Sequence, residues 1–417
     1  MLQKSLNQIR LKLWIQPWQE MDWPLFVISI LLTIFGGIAI RSTTLNLDLS
    51  YWWQHLLLGG IGIVLALMIA RWRYDVLLKW HWVTYGIASC SLIAVIFLGA
   101  SAKGAQRWIS IGGFNIQPSE FAKLALIVTL AAILHNRGAS TIPAVVRALA
   151  IATVPWALVF LQPDLGTSLV FGAIALGMLY WGNANPGWLL LLISPLVAAI
   201  LFNIYIPAWG AWAGAMTIVA WRTLPWQRAG ALAALVVNLL SGALGIILWG
   251  LLKDYQKDRL ILFLNPDKDP LGGGYHLIQS RIAIGAGQLW GRGLHQGTQT
   301  QLNFIPEQHT DFIFSAIGEE LGFLGCMALL IMFWFLCLRL IIIAQNAKDN
   351  FGSLLAIGVL SMIVFQVIVN IGMTIGLAPV TGIPLPWLSY GRSALLTNFI
   401  ALGLVESVAN YRQRLKF

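Results

Sequence analysis

The chain has 417 residues and a formal net charge of +10, yet only 10% of its residues are charged and 58% are hydrophobic. A soluble domain carries about 25% charged residues, so these charges are spread too thinly to solvate a globule of this size. Apolar runs of about 20 residues recur, each long enough to cross a hydrocarbon core about 30 Å thick. A soluble core is thereby excluded, and the expected fold is an all-α, polytopic integral membrane protein.

The opening residues, "MLQKSLNQIRLKLWIQPWQEMDWP", are polar and basic, with no cleavable signal peptide. Leu2, Leu6, Ile9 and Leu13 fall at helical spacing. Residues 1–22 therefore read either as a short interfacial helix or as a disordered basic tail in the cytoplasm. Twelve spans are expected, at 24–40, 54–70, 77–99, 118–136, 143–161, 166–182, 187–206, 208–222, 229–252, 312–344, 352–377 and 389–411. The run at 208–222 is short. The run at 312–344 is too long for one span and is expected to extend into water at its cytoplasmic end. Cys90, Cys326 and Cys337 all lie in apolar runs without disulfide or zinc spacing, which suits packing.

Lys and Arg in short loops mark the cytoplasmic side. With both termini inside, the inner segments hold Arg71, Arg73 and Lys79, then Arg137 and Arg147, Arg222 and Arg228, Arg339 and Lys348, and Arg412. The outer loops are poorer, with Arg41, Lys103, Arg107 and Arg392. Dropping the weak span 208–222 would put Arg222 and Arg228 outside and invert everything that follows. The alternation places four polar, Gly- and Pro-rich segments outside: 103–120, 162–166, 378–392 and the large loop 253–311. Irregular backbone at membrane depth needs protein or a watery cavity around it, so these segments are expected to line an outward-facing cavity.

Charges near span ends are the candidate site. Glu120 and Lys123 stand at i and i+3, on one helical face. Ionisable groups in a span mark function by default, the alternative being a self-neutralising anchor. Asp164 follows Pro163 at a span end, where it could also be a plain helix cap. Glu319 and Glu320 lie a few residues into the tenth span, where snorkelling to the surface is the simple reading. In "NPDKDPLGGGYHLIQSRIAIGAG" (265–287), Asp267 and Asp269 flank Lys268; alone, this would be a solvated turn. Its prolines stiffen the run and Gly272, Gly273 and Gly274 allow close backbone approach. The stretch after it reads as a half-buried segment along the membrane surface. Lys103, Arg107, Lys123, Arg281 and Arg292 supply positive charge suited to a phosphate or pyrophosphate, and a neighbouring carboxylate could act as base toward a sugar hydroxyl.

Five stretches carry a resemblance: "GAQRWISIGGFNIQPSEFAKLALI" (104–127), "QPDLGTSLV" (162–170), 265–287, "GTQTQLNFIPEQHTDFIFSAIGEELGFLG" (297–325) and "NIGMTIGLAPVTGIPLPWLSYGRSALLTN" (370–398). They resemble the SEDS family (shape, elongation, division and sporulation proteins), and 297–314 is more similar to its elongation members than to its division members. The resemblance implies a glycosyltransferase that polymerises lipid II at the outer face of the cytoplasmic membrane. It implies Asp269 as the catalytic base on the acceptor 4-hydroxyl, with inversion and lipid pyrophosphate leaving. It implies substrate contacts at Glu120, Lys123 and Asp164, and its matched stretches add Arg107, Gln117, His276, Gln279, Ser280, Arg281, His309, Asp311 and Ser389. No covalently bound cofactor is expected; a divalent cation, Mg or Mn, would suit the pyrophosphate. A class B penicillin-binding protein, rod-complex scaffold proteins and membrane lipid are the implied partners, with no nucleic acid. The chain departs from the family pattern at Arg392, where "YGGS" is usual, and at 284–288, "IGAGQ" for "IGSGG". The resembled core has ten spans, so the extra pair is placed within 183–228. A lipid II flippase, or a scaffold that only recruits the transpeptidase, competes with the enzyme reading. Ionisable groups clustered at the outer span ends favour the enzyme.

Overall fold

The structure, a computed structural model, describes residues 20–45, 50–102, 105–111, 114–251, 257, 261–263, 268–270 and 274–412. The N-terminal tail, Lys103, Asp267, Gly272 and Gly273 lie outside the described residues. The chain is an integral membrane protein built almost wholly of helices. In order these are α1 (Trp23–Thr44), α2 (Tyr51–Arg71), α3 (Asp75–Leu98), α4 (Pro118–Arg137), α5 (Ile142–Leu161), α6 (Leu165–Trp181), α7 (Pro186–Ile204), α8 (Ile206–Thr223), α9 (Gln227–Leu251), α10 (Tyr275–Ala286), α11 (Thr298–Gln301), α12 (Ile313–Gln345), α13 (Asn350–Ile375) and α14 (Arg392–Asn410). Among the described residues, nine helices are long and apolar enough to cross a membrane, and α6 is a shorter apolar helix.

Local chemistry sets the helix starts. Pro118 opens α4, Pro186 opens α7 and Pro207 opens α8, where a missing N–H costs nothing. Asp22, Asp164 and Asp349 cap α1, α6 and α13 by accepting from Leu25 N, Thr167 N and Gly352 N. Gly376 ends α13 in the left-handed conformation.

Most of α4 and α14 is buried, 78% and 83% of their most apolar stretch, against 17% for α3 and α7. The first two are therefore the centre of the bundle and the last two its lipid-facing rim. Close approach sustains the centre: α14 lies so near α2 that a Cβ on Gly403 would stand 2.8 Å from Ala66 O. Helices α7, α8 and α9 pack chiefly on one another, with a buried Ser194–Asn238 bond at their core.

Connections after α1, α3, α5, α7, α9 and α13 share one end of the bundle, here termed the loop end. There Gln308 Nε2 donates to Thr43 O (2.8 Å) and Tyr390 N donates to His309 O (2.9 Å). At the opposite end Arg339 clasps Asp22, and Trp188 Nε1 donates to Thr223 O (2.9 Å). The last bond sets the end of α8 beside the start of α7, so the 208–222 segment does reverse the chain.

Three features differ from the sequence reading. The stretch expected as irregular before α4 forms a three-stranded antiparallel sheet, β1 (Ala100–Ala102), β2 (Ala105–Ile111) and β3 (Phe114–Ile116), pairing Ile109 with Ile116. The surplus length of 312–344 lies at the helix's N-terminal end, by the loops, and not at its C-terminal end as expected. Gly322 (φ 65°, ψ −164°) breaks α12 there, and the 323–345 remainder spans about 34 Å, one crossing. Glu319 and Glu320 do not snorkel: they are 0% and 3% exposed. Each is held by a loop that folds back over the break.

Candidate functional site

The site grows from the head of α4. Strand β2 carries Arg107 to the start of α6, where its guanidinium pairs with Asp164 (3.6 Å) and donates to Pro163 O. Asp164 also accepts from Thr167 N (3.2 Å), Thr167 Oγ1 (2.9 Å) and Gln117 Nε2 (3.3 Å). It is both the cap of α6 and the counter-ion of Arg107. Gln117 N donates to Ser393 Oγ (2.9 Å), which ties α4 to the start of α14. Three helix N-termini thus meet at one place, each the positive end of its dipole.

One turn into α4, Lys123 Nζ lies 2.8 Å from Glu120 Oε1, with both side chains almost fully buried. Glu120 Oε2 is buried without a hydrogen-bond partner among the described residues. A buried acceptor in that condition costs about 1–3 kcal/mol unless a donor arrives. This pair is therefore both charged and unfinished.

Asp269 stands exposed on the short turn 268–270, and its carbonyl accepts from Gly274 N (3.0 Å). Helix α10 follows at once and lies across the tops of α12 and α13. Ser280 Oγ donates to Thr374 O (2.6 Å) and shares a bond with Ser315 Oγ (2.6 Å), while Arg281 donates to Gly376 O (3.1 Å). Ser280 and Ser389 are buried inside the fold; Ser389 Oγ accepts from Leu385 N (2.9 Å) and shapes the turn before α14. His276 stacks on Phe312 (6.1 Å between centroids), and Gln279 is half-buried on the same helix. The Asp311 carbonyl accepts from Asn370 (2.9 Å). Arg292 braces the loop through Thr298 Oγ1 (2.8 Å). The structure thus gathers Arg107, Gln117, Glu120, Lys123 and Asp164 around the α4 and α6 heads. Ser280, Arg281 and His276 instead seat the segment that carries Asp269, while Asp311 ties the start of α12 to α13.

Glu319 caps α11, accepting from Gln299 N (2.8 Å), Thr300 N (2.9 Å) and Thr300 Oγ1 (2.7 Å). Glu320 accepts from Ser42 Oγ and His295 N. These carboxylates fix the loop between α10 and α12. Residues the sequence reading missed include Tyr51, Gln54 and Ser42, which sit at helix ends without a motif to mark them. Among the described residues, no group of three or more His, Cys, Asp or Glu could hold a metal.

Comparison with known proteins gives a consistent picture. The family model described as cell cycle protein (FtsW, RodA, SpoVE) matches residues 22–222 and 211–414. The peptidoglycan glycosyltransferase MrdB of Escherichia coli K12 is 35% identical over 400 residues, covering 95% of each chain. The peptidoglycan glycosyltransferase RodA of Treponema pallidum is 36% identical over 427 residues, covering 94% of this chain and 98% of its own. A solved chain from work on how a peptidoglycan synthase complex coordinates polymerization and crosslinking superposes with a TM-score of 0.71 at 26% identity, covering 94% of this chain and 99% of that one.

Proposed function

The chain belongs to the FtsW, RodA and SpoVE family of cell cycle proteins, and on that premise we propose that it is a peptidoglycan glycosyltransferase polymerising lipid II at the outer face of the bacterial cytoplasmic membrane. In this reading the loop end faces outward and both termini lie in the cytoplasm. Asp269 takes the proton from the 4-hydroxyl of one GlcNAc as its oxygen attacks the anomeric carbon of a MurNAc. The lipid pyrophosphate leaves from the opposite side, so the anomeric centre inverts from α to β. Arg107 and Lys123, with the converging helix N-termini, stabilise the charge that grows on the leaving group. Glu120 Oε2 is placed to accept from a substrate N–H or O–H. Among the described residues no cluster of His, Cys, Asp or Glu forms a metal site, and no step here depends on a divalent cation.

The observation that carries this reading is the buried, half-satisfied Glu120–Lys123 pair at the same bundle end as Asp269. The elongation role rests on the run 297–314. The partners this implies are a class B penicillin-binding protein and the scaffold of the rod complex. The helices α7 and α8 are read as an addition to a ten-span core. The test is purified protein with its transpeptidase partner in proteoliposomes loaded with lipid II. Strands resolved on a gel support the enzyme, whereas translocated but unjoined lipid II would support a flippase.

A further inference from the structure

At the loop end three distant segments bring an aromatic cluster together. Tyr51 opens α2, His309 lies just before α12, and Tyr390 ends the link to α14. The Tyr51 ring stacks on His309 (5.0 Å, 25°) and on Tyr390 (4.7 Å, 24°). His309 and Tyr390 are themselves only 6.0 Å apart. Rings on opposite faces of Tyr51 would lie about twice as far from each other as from it. Both partners therefore lie toward one side, forming a shelf and not a sandwich. All three rings are half-buried, so each keeps a share of its surface outside the protein.

A polar edge is fixed to this shelf. Tyr390 Oη donates to Gln54 Oε1 (2.6 Å), and Arg392 donates to Tyr390 Oη (2.9 Å) and to the same Gln54 oxygen (2.9 Å). The neighbouring Ser393 holds Gln117 at the head of α4. The shelf thus adjoins the Glu120–Lys123 site, at the ends of helices and away from their lipid-facing sides.

We propose that Tyr51, His309 and Tyr390, edged by Gln54 and Arg392, form a saccharide subsite that takes an N-acetylhexosamine unit of the growing strand. Flat rings pack on the apolar C–H face of a pyranose, and the guanidinium and amide orient its acetamido and hydroxyl groups. A lipid tail would call for aliphatic walls without a fixed hydrogen-bonded edge. This inference rests on the glycosyltransferase reading, because a strand exists only if bonds are made. Held there, the strand stays beside the site between successive additions. Arg392, which replaces a small residue of the resembled pattern, makes this edge particular to the present chain.

The test uses full-length protein with its partner in nanodiscs and a soluble, uncrosslinked GlcNAc–MurNAc tetrasaccharide, with binding read by saturation-transfer NMR and thermophoresis. Tyr51→Leu and Arg392→Gly should each weaken tetrasaccharide binding about tenfold, the scale of one lost stacking or charged contact. Tyr51→Phe, which keeps the ring, should stay close to wild type. Strands made by the first two variants should be shorter while initial lipid II consumption changes less. Unchanged binding in both variants, with unfolding temperatures at the wild-type value, would overturn the subsite. Failure of the tetrasaccharide to bind, with short-chain lipid II binding weakened by the same variants, would overturn its assignment to the strand. Normal polymerisation by Asp269→Asn would instead defeat the catalytic reading and leave the binding result standing.

Discussion

Replacing Lys123 with methionine removes an ammonium that is 1% exposed and 2.8 Å from Glu120 Oε1. The other oxygen of Glu120 already lacks a partner among the described residues. The variant would therefore strand a buried carboxylate with neither oxygen held by a cation. Breaking a buried pair from one side costs about 3–5 kcal/mol, against about 0–1 for a surface pair. Glu120→Gln carries a similar cost, because it leaves the Lys123 charge unpaired. The double variant Glu120→Gln with Lys123→Met removes both charges and should recover much of the loss, since the desolvation that the pair had to offset disappears with it. The assay is a double-mutant cycle on thermal unfolding of the purified protein, read beside lipid II polymerisation. Stability should separate from activity: the double variant regains the first and not the second. Two single variants each within about 0.5 kcal/mol of wild type, adding without interaction, would refute the reasoning.

Gly322→Ala should destabilise by about 1–3 kcal/mol or more, because φ of 65° with ψ of −164° suits glycine alone and the new Cβ would stand 2.8 Å from Leu289 O; unfolding temperature checks it. Glu319→Gln turns an acceptor into a donor facing the α11 amides and should cost about 2–3 kcal/mol, read by the same measurement. Arg107→Met loses a part-exposed pair with Asp164, so stability should change by only about 1 kcal/mol or less while polymerisation falls much further. Cysteines at the exposed positions Tyr205 and Trp226 should behave oppositely with an impermeant maleimide in spheroplasts, the first reacting and the second not. Labelling of both, or of Trp226 alone, would reverse the orientation assigned to the loop end.

The spans were legible because membrane crossing imposes a length and a composition that few other structures share. The short helix α8 was legible only through Arg222 and Arg228, whose charge demanded an extra reversal. The break at Gly322 was not, because a glycine within an apolar run has the same appearance whether it bends the chain or packs a neighbour. The β2–β3 hairpin was hidden because the glycines of "WISIGGFNI" made the whole stretch read as loop. At the site, Glu120 and Lys123 announced themselves as charges in an apolar run, and Asp164 by its place after Pro163. Tyr51, Gln54 and Ser42 gave no signal, since their roles come from residues more than 200 positions away that the fold brings to them. Ser280 and Ser389 looked like ligand contacts because the matched stretches hold them, yet their hydroxyls are spent on helix seating and a turn.

The central claim is that Asp269 performs the proton transfer of glycan synthesis from the turn before α10. The most direct measurement is lipid II polymerisation by the purified protein with its transpeptidase partner, wild type against Asp269→Asn, each first shown to unfold at the same temperature. The account predicts glycan strands from the wild type and none from the variant, with lipid II still bound by both. Strands of normal yield from a well-folded Asp269→Asn protein would contradict it.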